Sequence, residues 1–121
     1  MHDFTELRIW IKSIDLAERI YLVTDSFPKK ETFGITNQMR RCSVSISSNI
    51  AEGCGRNSKN EFIQFLSIAN GSTSELHSQV ILSRRLRFIS DEEEKLIIEN
   101  ILEIKNMNLK LQESIKKSKI R

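Results

Sequence analysis

With 121 residues, 39% of them hydrophobic and 29% charged, the chain suits one soluble domain and excludes both a disordered polymer and a membrane protein. One proline and four glycines exclude a fold of many tight turns and favour long helices. The net charge of +3 and pI near 9.0 are compatible with an acidic polymer as partner, and equally with ordinary surface solvation.

The opening residues Met1-His2-Asp3-Phe4 are polar and carry no apolar targeting core, and no apolar run approaches the roughly 20 residues of a membrane span. The expected location is therefore the cytoplasm, where Cys42 and Cys54 are expected to be reduced and structural. A first helix is predicted from about Thr5 to Ser26. Leu7, Trp10, Ile14, Ala17 and Tyr21 share one face; Ile9, Leu16, Ile20, Val23 and Phe27 lie beside it. Phe27-Pro28 ends it, because the residue before proline disfavours the α region.

A second helix is predicted from about Thr36, as N-cap, to Gly53, with Met39, Cys42, Ile46, Ile50 and Gly53 inward and Asn37, Arg41, Ser45, Ser48 and Glu52 outward. The alternating run Cys42–Ser47 suggests a strand, but helical spacing holds over a longer stretch. A third runs from about Lys59 to Phe88 behind the capping box Ser58/Glu61. Its core stripe is Phe62, Phe65, Leu66, Ala69, Ser72, Leu76, Val80 and Leu86. Its middle is small (Ala69, Gly71, Ser72, Ser74), which predicts close approach of a neighbouring helix. A fourth runs from about Asp91 to Lys117 behind the box Ser90/Glu93. Asp91–Glu94 lie at its positive end, and Lys116, Lys117 and Lys119 at or past its negative end. Ile97, Ile101, Ile104, Leu111 and Ile115 form one stripe; Ile98, Leu102 and Leu109 form a second.

Short connections, apart from Phe27 to Ile35, predict an all-α, antiparallel up-down-up-down four-helix bundle filling residues 1–121 as a single domain. The first and fourth helices carry more apolar surface than one internal seam needs. A generous core would absorb it; a subunit interface is the favoured reading.

The stretch from Asn37 to Arg56, containing Arg40-Arg41-Cys42-Ser43-Val44-Ser45-Ile46 and Ser48-Asn49-Ile50-Ala51-Glu52-Gly53, resembles the signature of bacterial four-helix-bundle proteins. These are often called 23S ribosomal RNA intervening-sequence proteins. Phe4-x-x-Leu7-x-x-Trp10, the Ser26-Phe27-Pro28-Lys29 turn, Glu61-Phe62, Phe65-Leu66, Ile68–Ser72 and Glu75-Leu76 extend the resemblance along nearly the whole chain. The resemblance implies an up-down bundle that assembles into a ring-like homopentamer. The family's genes lie in large-subunit ribosomal RNA genes and elsewhere in bacterial genomes, and a related branch, the accessory proteins of diversity-generating retroelements, binds nucleic acid and a reverse transcriptase. Ser47 stands where proline is common, predicting a straighter second helix; Cys54 stands where an aromatic is common, predicting the loss of an apolar anchor.

No catalytic constellation is legible. A carboxylate-bridged metal site in a bundle needs Glu-x-x-His pairs, and neither His2 nor His77 follows a glutamate at that spacing. The cysteines lack partner ligands for zinc, and Gly53-x-Gly55 falls short of a phosphate loop. Neither a cofactor nor a small-molecule substrate is expected. Arg41, Asn49, Glu52, Arg56 and Glu75 are read first as a structural polar network fixing the second helix against the third, and alternatively as a recognition site. Arg40, Arg41, Arg84, Arg85 and Arg87 should gather at one end of the bundle, with Arg56 and Lys59 at the other. These seven are candidate nucleic-acid contacts; helix-end charge compensation is the competing reading. The reading that results is a non-enzymatic homo-oligomer that binds RNA or DNA or serves a nucleic-acid-handling partner. The alternative is a protein-interaction scaffold.

Overall fold

A computed structural model describes residues 3–118; His2 and Lys119 fall outside them. Four helices dominate: α1 (Arg8–Thr24), α2 (Ile35–Cys54), α3 (Lys59–Arg85) and α4 (Asp91–Lys117). Short 3-10 turns at Phe4–Glu6 and Lys29–Glu31 precede α1 and α2. Each helix packs on its neighbours in the order α1-α2-α3-α4 and α4 returns to α1, while the diagonal pairs stay apart.

Cross-helix contacts show neighbours running in opposite senses. Along α3 and α4, Lys59 near the start of α3 meets Ser118 after the end of α4, Leu66 meets Asn108, and Arg84 meets Asp91. On α2, Met39 meets Ser83, and Cys42 meets Ser72. Arg40, near the start of α2, reaches Tyr21, Thr24 and Asp25 at the end of α1. The bundle is antiparallel, as the short connections predict.

The core is a column of fully buried Leu16, Ile20, Met39, Ile46, Ile50, Leu66, Leu76, Val80, Ile97, Ile101 and Ile104. On α1 the inward face is the second predicted set, Ile9, Leu16 and Ile20, joined by Ser13 and Thr24. The first set divides: Ile14 and Tyr21 are exposed, Leu7 and Trp10 are half-buried against the core, and Ala17 is buried. The serine and threonine keep their hydroxyls satisfied on backbone carbonyls, Ser13 on Trp10 at 2.7 Å and Thr24 on Ile20 at 2.7 Å. Buried polar groups of this kind satisfy themselves on their own helix and break the apolar stripe on which the prediction relied.

Helix ends follow cap chemistry. Ser90 and Glu93 form a complete capping box. Ser58 accepts the Glu61 N–H at 3.2 Å. Helix α1 starts at Arg8 rather than Thr5, because Asp3 caps the preceding 3-10 turn through the Thr5 N–H at 3.0 Å. Thr36 is not the N-cap of α2. Gly34 holds that position, and the Thr36 hydroxyl is buried without a partner. Helix α3 ends at Arg85, short of Phe88. Arg87 adopts φ 65°, the Phe88 N–H reaches the Ser83 carbonyl at 2.9 Å, and the Arg87 N–H reaches Arg84 at 3.0 Å. These are the paired bonds of a Schellman stop, and they turn Leu86 out to 48% exposure instead of into the predicted core.

Close approach of α2 and α3 comes from Gly53 and Ser72, not from Gly71. A Cβ on Gly53 would lie 2.8 Å from Phe65 Cβ and 3.0 Å from Phe62 Cδ1, whereas one on Gly71 would meet nothing within 4 Å. Helix α2 is continuous through Ser47, whose hydroxyl donates to Val44 at 3.1 Å. Cys54 is itself buried in the core, so the apolar anchor is smaller rather than lost. On α4, Leu102 and Leu109 of the second stripe are exposed, as are Ile11 and Ile14 of α1.

The two glycines should respond to alanine with opposite signs. Gly53→Ala overpacks the seam and should lower unfolding free energy by about 1–3 kcal/mol. Gly71→Ala, in open helix, should raise it by up to about 1 kcal/mol. Urea denaturation of both variants checks the pair.

Candidate nucleic-acid interface

The arginines of α2 and α3 divide by what they touch. Arg40 is an internal tie. Its Nε donates to Thr24 Oγ1 at 2.9 Å, Nη2 to the Tyr21 carbonyl at 3.3 Å and to Asp25 at 3.4 Å, and its guanidinium lies 4.7 Å above the Tyr21 ring. Arg84 pairs with Asp91 across the turn between α3 and α4. Arg41, Arg85 and Arg87 are exposed and form no ion pair among the described residues. All five sit toward one end of the bundle. There Met39 meets Ser83, and Phe27 packs on Phe88 with ring centroids 5.2 Å apart. The same end also carries Asp25, Glu31 and Asp91–Glu94 together with Lys29 and Lys30, so carboxylates are interleaved with the cations there.

Arg56 and Lys59 lie at the other end and are both engaged. Arg56 Nη2 binds Glu52 at 2.9 Å, with its guanidinium 4.9 Å from the Phe65 ring, while Nε is buried without a partner. Lys59 Nζ donates to the Ser118 carbonyl at 2.6 Å, where a cation suits the negative end of α4.

The residues read as one polar network separate into three groups, with the exposed Arg41 outside all of them. Glu52–Arg56 is a half-exposed i,i+4 pair of about 0.3–0.5 kcal/mol, not a buried one. Asn49 bonds the Ser45 carbonyl at 2.8 Å and its hydroxyl at 3.1 Å, all within α2. Ser45 then reaches across to Ser72 Oγ at 3.0 Å. Glu75 stands beside Cys42 and bonds Gln79 at 3.5 Å. Among the described residues no hydrogen bond or ion pair joins Glu75 to Asn49, Glu52 or Arg56.

Cys42 is the inner member of this seam. Its thiol donates to the Ser72 carbonyl at 3.0 Å. Burial, and then the Glu75 carboxylate beside it, push its pKa up to about 12, so it is a packed thiol and not a nucleophile. Burial also raises Cys54. Among the described residues no three His, Cys, Asp or Glu side chains gather as metal ligands.

Sequence reasoning missed a groove of about 600 Å³ on the α1–α4 seam. Its apolar lining includes the exposed Leu22 and Leu96 and the more buried Val23 and Ile97. Asp15, Glu18, Glu93 and Glu103 stand around it with Lys12 and Arg19, and Lys12 pairs with Glu103 at 3.5 Å. The apolar signal was present in Leu22 and Leu96, which fit neither inward stripe.

A family model described as 23S rRNA-intervening sequence protein matches residues 5–110. The chain belongs to that family. A solved structure similar to it is a protein of unknown function from the S23 ribosomal protein family of Bacteroides thetaiotaomicron. The two share 26% identity and a TM-score of 0.79, over 87% of this chain and 95% of that one. No curated protein matches. The stretch Asn37 to Arg56, on which the resemblance rests, lies on α2 and the turn after it, along the tightest seam of the bundle. No helix among the described residues is long and apolar enough to cross a membrane.

Arg40→Ala removes bonds from a charged donor and should cost about 1–3 kcal/mol in thermal or urea unfolding. Arg41→Ala and Arg85→Ala should stay within about 0.5 kcal/mol. For Cys42, the unfolded thiol ionises near 9.0 and the folded one near 12. The unfolded chain therefore releases its proton first, and stability should fall as pH rises through that window. Cys42→Ala should flatten the fall, as read from melting temperature between pH 8 and 11.

Proposed function

We propose that this chain is a non-enzymatic, cytoplasmic, self-associating bundle that binds the phosphate backbone of nucleic acid, with RNA the favoured form. The observation that carries the reading is the trio Arg41, Arg85 and Arg87: exposed, without ion pairs among the described residues, and gathered at one end of the bundle. Arg40 and Arg84 leave the list of contacts because they are spent on Thr24, Asp25 and Asp91. Arg56 and Lys59 leave it for the same reason.

Self-association is supported by the outward apolar stripes, Ile11, Ile14 and Tyr21 on α1 and Leu102 and Leu109 on α4. Five copies is the number that the family resemblance favours. Repetition matters to the charge argument, since three guanidinium groups per chain become a multivalent field only in an assembly.

The scaffold reading keeps one observation of its own. Asp91–Glu94 share the arginine end and reduce its field, which favours a protein partner over a polyanion.

Light scattering should return a mass several times 14.1 kDa. Binding to structured RNA should be sequence-independent. With about 6–10 phosphate contacts in the assembly, it should fall by about 10³–10⁵ between 50 and 200 mM salt. The variant Arg41→Ala/Arg85→Ala/Arg87→Gly keeps the left-handed turn after α3 and should lower both the affinity and the salt slope. An unchanged slope, or no wild-type binding at 50 mM salt, gives the function to the scaffold reading.

A further inference from the structure

Phe33 is 93% exposed, far more than any other large apolar side chain among the described residues. It is not on a loose loop. The Glu31 N–H bonds Pro28 at 2.9 Å, Thr32 bonds Lys29 at 3.1 Å, and Gly34 bonds Glu31 at 2.9 Å, while Phe27 is buried in the core beneath. Lys29 and Lys30, both exposed, stand in the same short turn. The connection thus presents an exposed aromatic ring on a hydrogen-bonded backbone, with Lys29, Lys30 and the half-buried Glu31 in the same turn. An exposed aromatic on an ordered backbone is the form of an interface anchor, since little backbone entropy remains to be lost on docking.

The α1–α4 groove has the complementary character. Its lining combines apolar side chains with four carboxylates against two cations, and one of those cations is already paired with Glu103. This acidic lining belongs to a chain whose net charge is +3. The exposure of Phe33 shows that the tip does not fill the groove of its own chain.

We infer that Phe33, with Lys29 and Lys30, seats in the α1–α4 groove of a second copy of this chain. The inference rests on the self-association reading and supplies its contact. Tip and groove are different surfaces, so each copy gives one and receives one. Such a heterologous contact propagates from copy to copy and closes into a ring if the rotation allows. The ring face of Phe33 covers Leu22 and Leu96, and the lysines meet Asp15 and Glu18 of the lining.

The test uses the full chain and variants confined to exposed positions, with circular dichroism confirming unchanged helix content. Phe33→Glu removes the tip; Leu22→Arg/Leu96→Arg removes the groove. Each alone should fall to 14.1 kDa by sedimentation. Mixed in equal amounts at high concentration they should form a 1:1 dimer, because one sound tip and one sound groove remain. Lys29→Glu/Lys30→Glu should weaken assembly, and adding Asp15→Lys/Glu18→Lys in the same chain should restore it. If either the tip or the groove variant alone keeps the wild-type mass, the inference is overturned; tip loss that abolishes RNA binding at unchanged mass would make Phe33 a base-stacking residue instead. Two monomeric variants that fail to dimerise on mixing, without rescue by the charge swap, place the tip against a different surface and also overturn it. A wild-type monomer at every concentration removes the self-association reading itself, a result distinct from the others.

Discussion

The distance between α2 and α3 is the constraint on which the bundle turns. At Gly53 a single hydrogen atom occupies the space where a methyl group would collide with two phenylalanines of α3. Farther along the seam the helices meet through small polar atoms, the Cys42 thiol on the Ser72 carbonyl and Ser45 on Ser72. This approach lets Met39, Ile46 and Ile50 reach the same column as Leu66, Leu76 and Val80. Helices α1 and α4 then close over a surface that this pair has already shaped. Of the residues that look like a polar recognition motif in the sequence, Asn49, through Ser45, and Glu75, beside Cys42, are the ones that belong to that approach.

Several of the basic residues are likewise tied into the bundle itself. A guanidinium that touches a hydroxyl, a carbonyl, a carboxylate and a ring, as Arg40 does, is a construction element between α1 and α2. Lys59 serves the end of α4 in a similar way. What remains for an outside polyanion is a smaller set than the composition suggests, set among carboxylates at the same end. Any affinity for a polyanion built on so few charges would depend on several copies acting together, so the proposed binding rests on the proposed assembly.

The architecture was legible because four amphipathic patterns, two N-terminal boxes and few breakers agree with one another. The inward faces of α2 and α4 followed from apolar spacing alone. The face of α1 did not, because Ser13 and Thr24 satisfy their hydroxyls on their own helix and sit inside while Ile14 and Tyr21 sit outside. Asn108 was illegible for a related reason. It interrupts the Ile97, Ile101, Ile104 series, yet it is buried and bonds the Leu66 carbonyl at 2.9 Å, fixing the stagger of α3 on α4. The candidate site suffered most, since whether an arginine faces water or a neighbour's carbonyl depends on contacts 16 or 19 residues away. The groove and the Phe33 tip were hidden for the opposite reason: each looks like a single ill-placed hydrophobe until the whole surface is assembled.

Of the four adjacent pairs, α1 and α4 pack least closely. The groove lies on that seam, and Lys12–Glu103 is the only ion pair across it among the described residues. The first helix is therefore held chiefly by α2 and by its inner apolar face. Local opening should begin there, with the amides of α1 exchanging with solvent before those of the α2–α3–α4 unit. That edge also carries the groove, so anything that occupies it should slow exchange throughout α1.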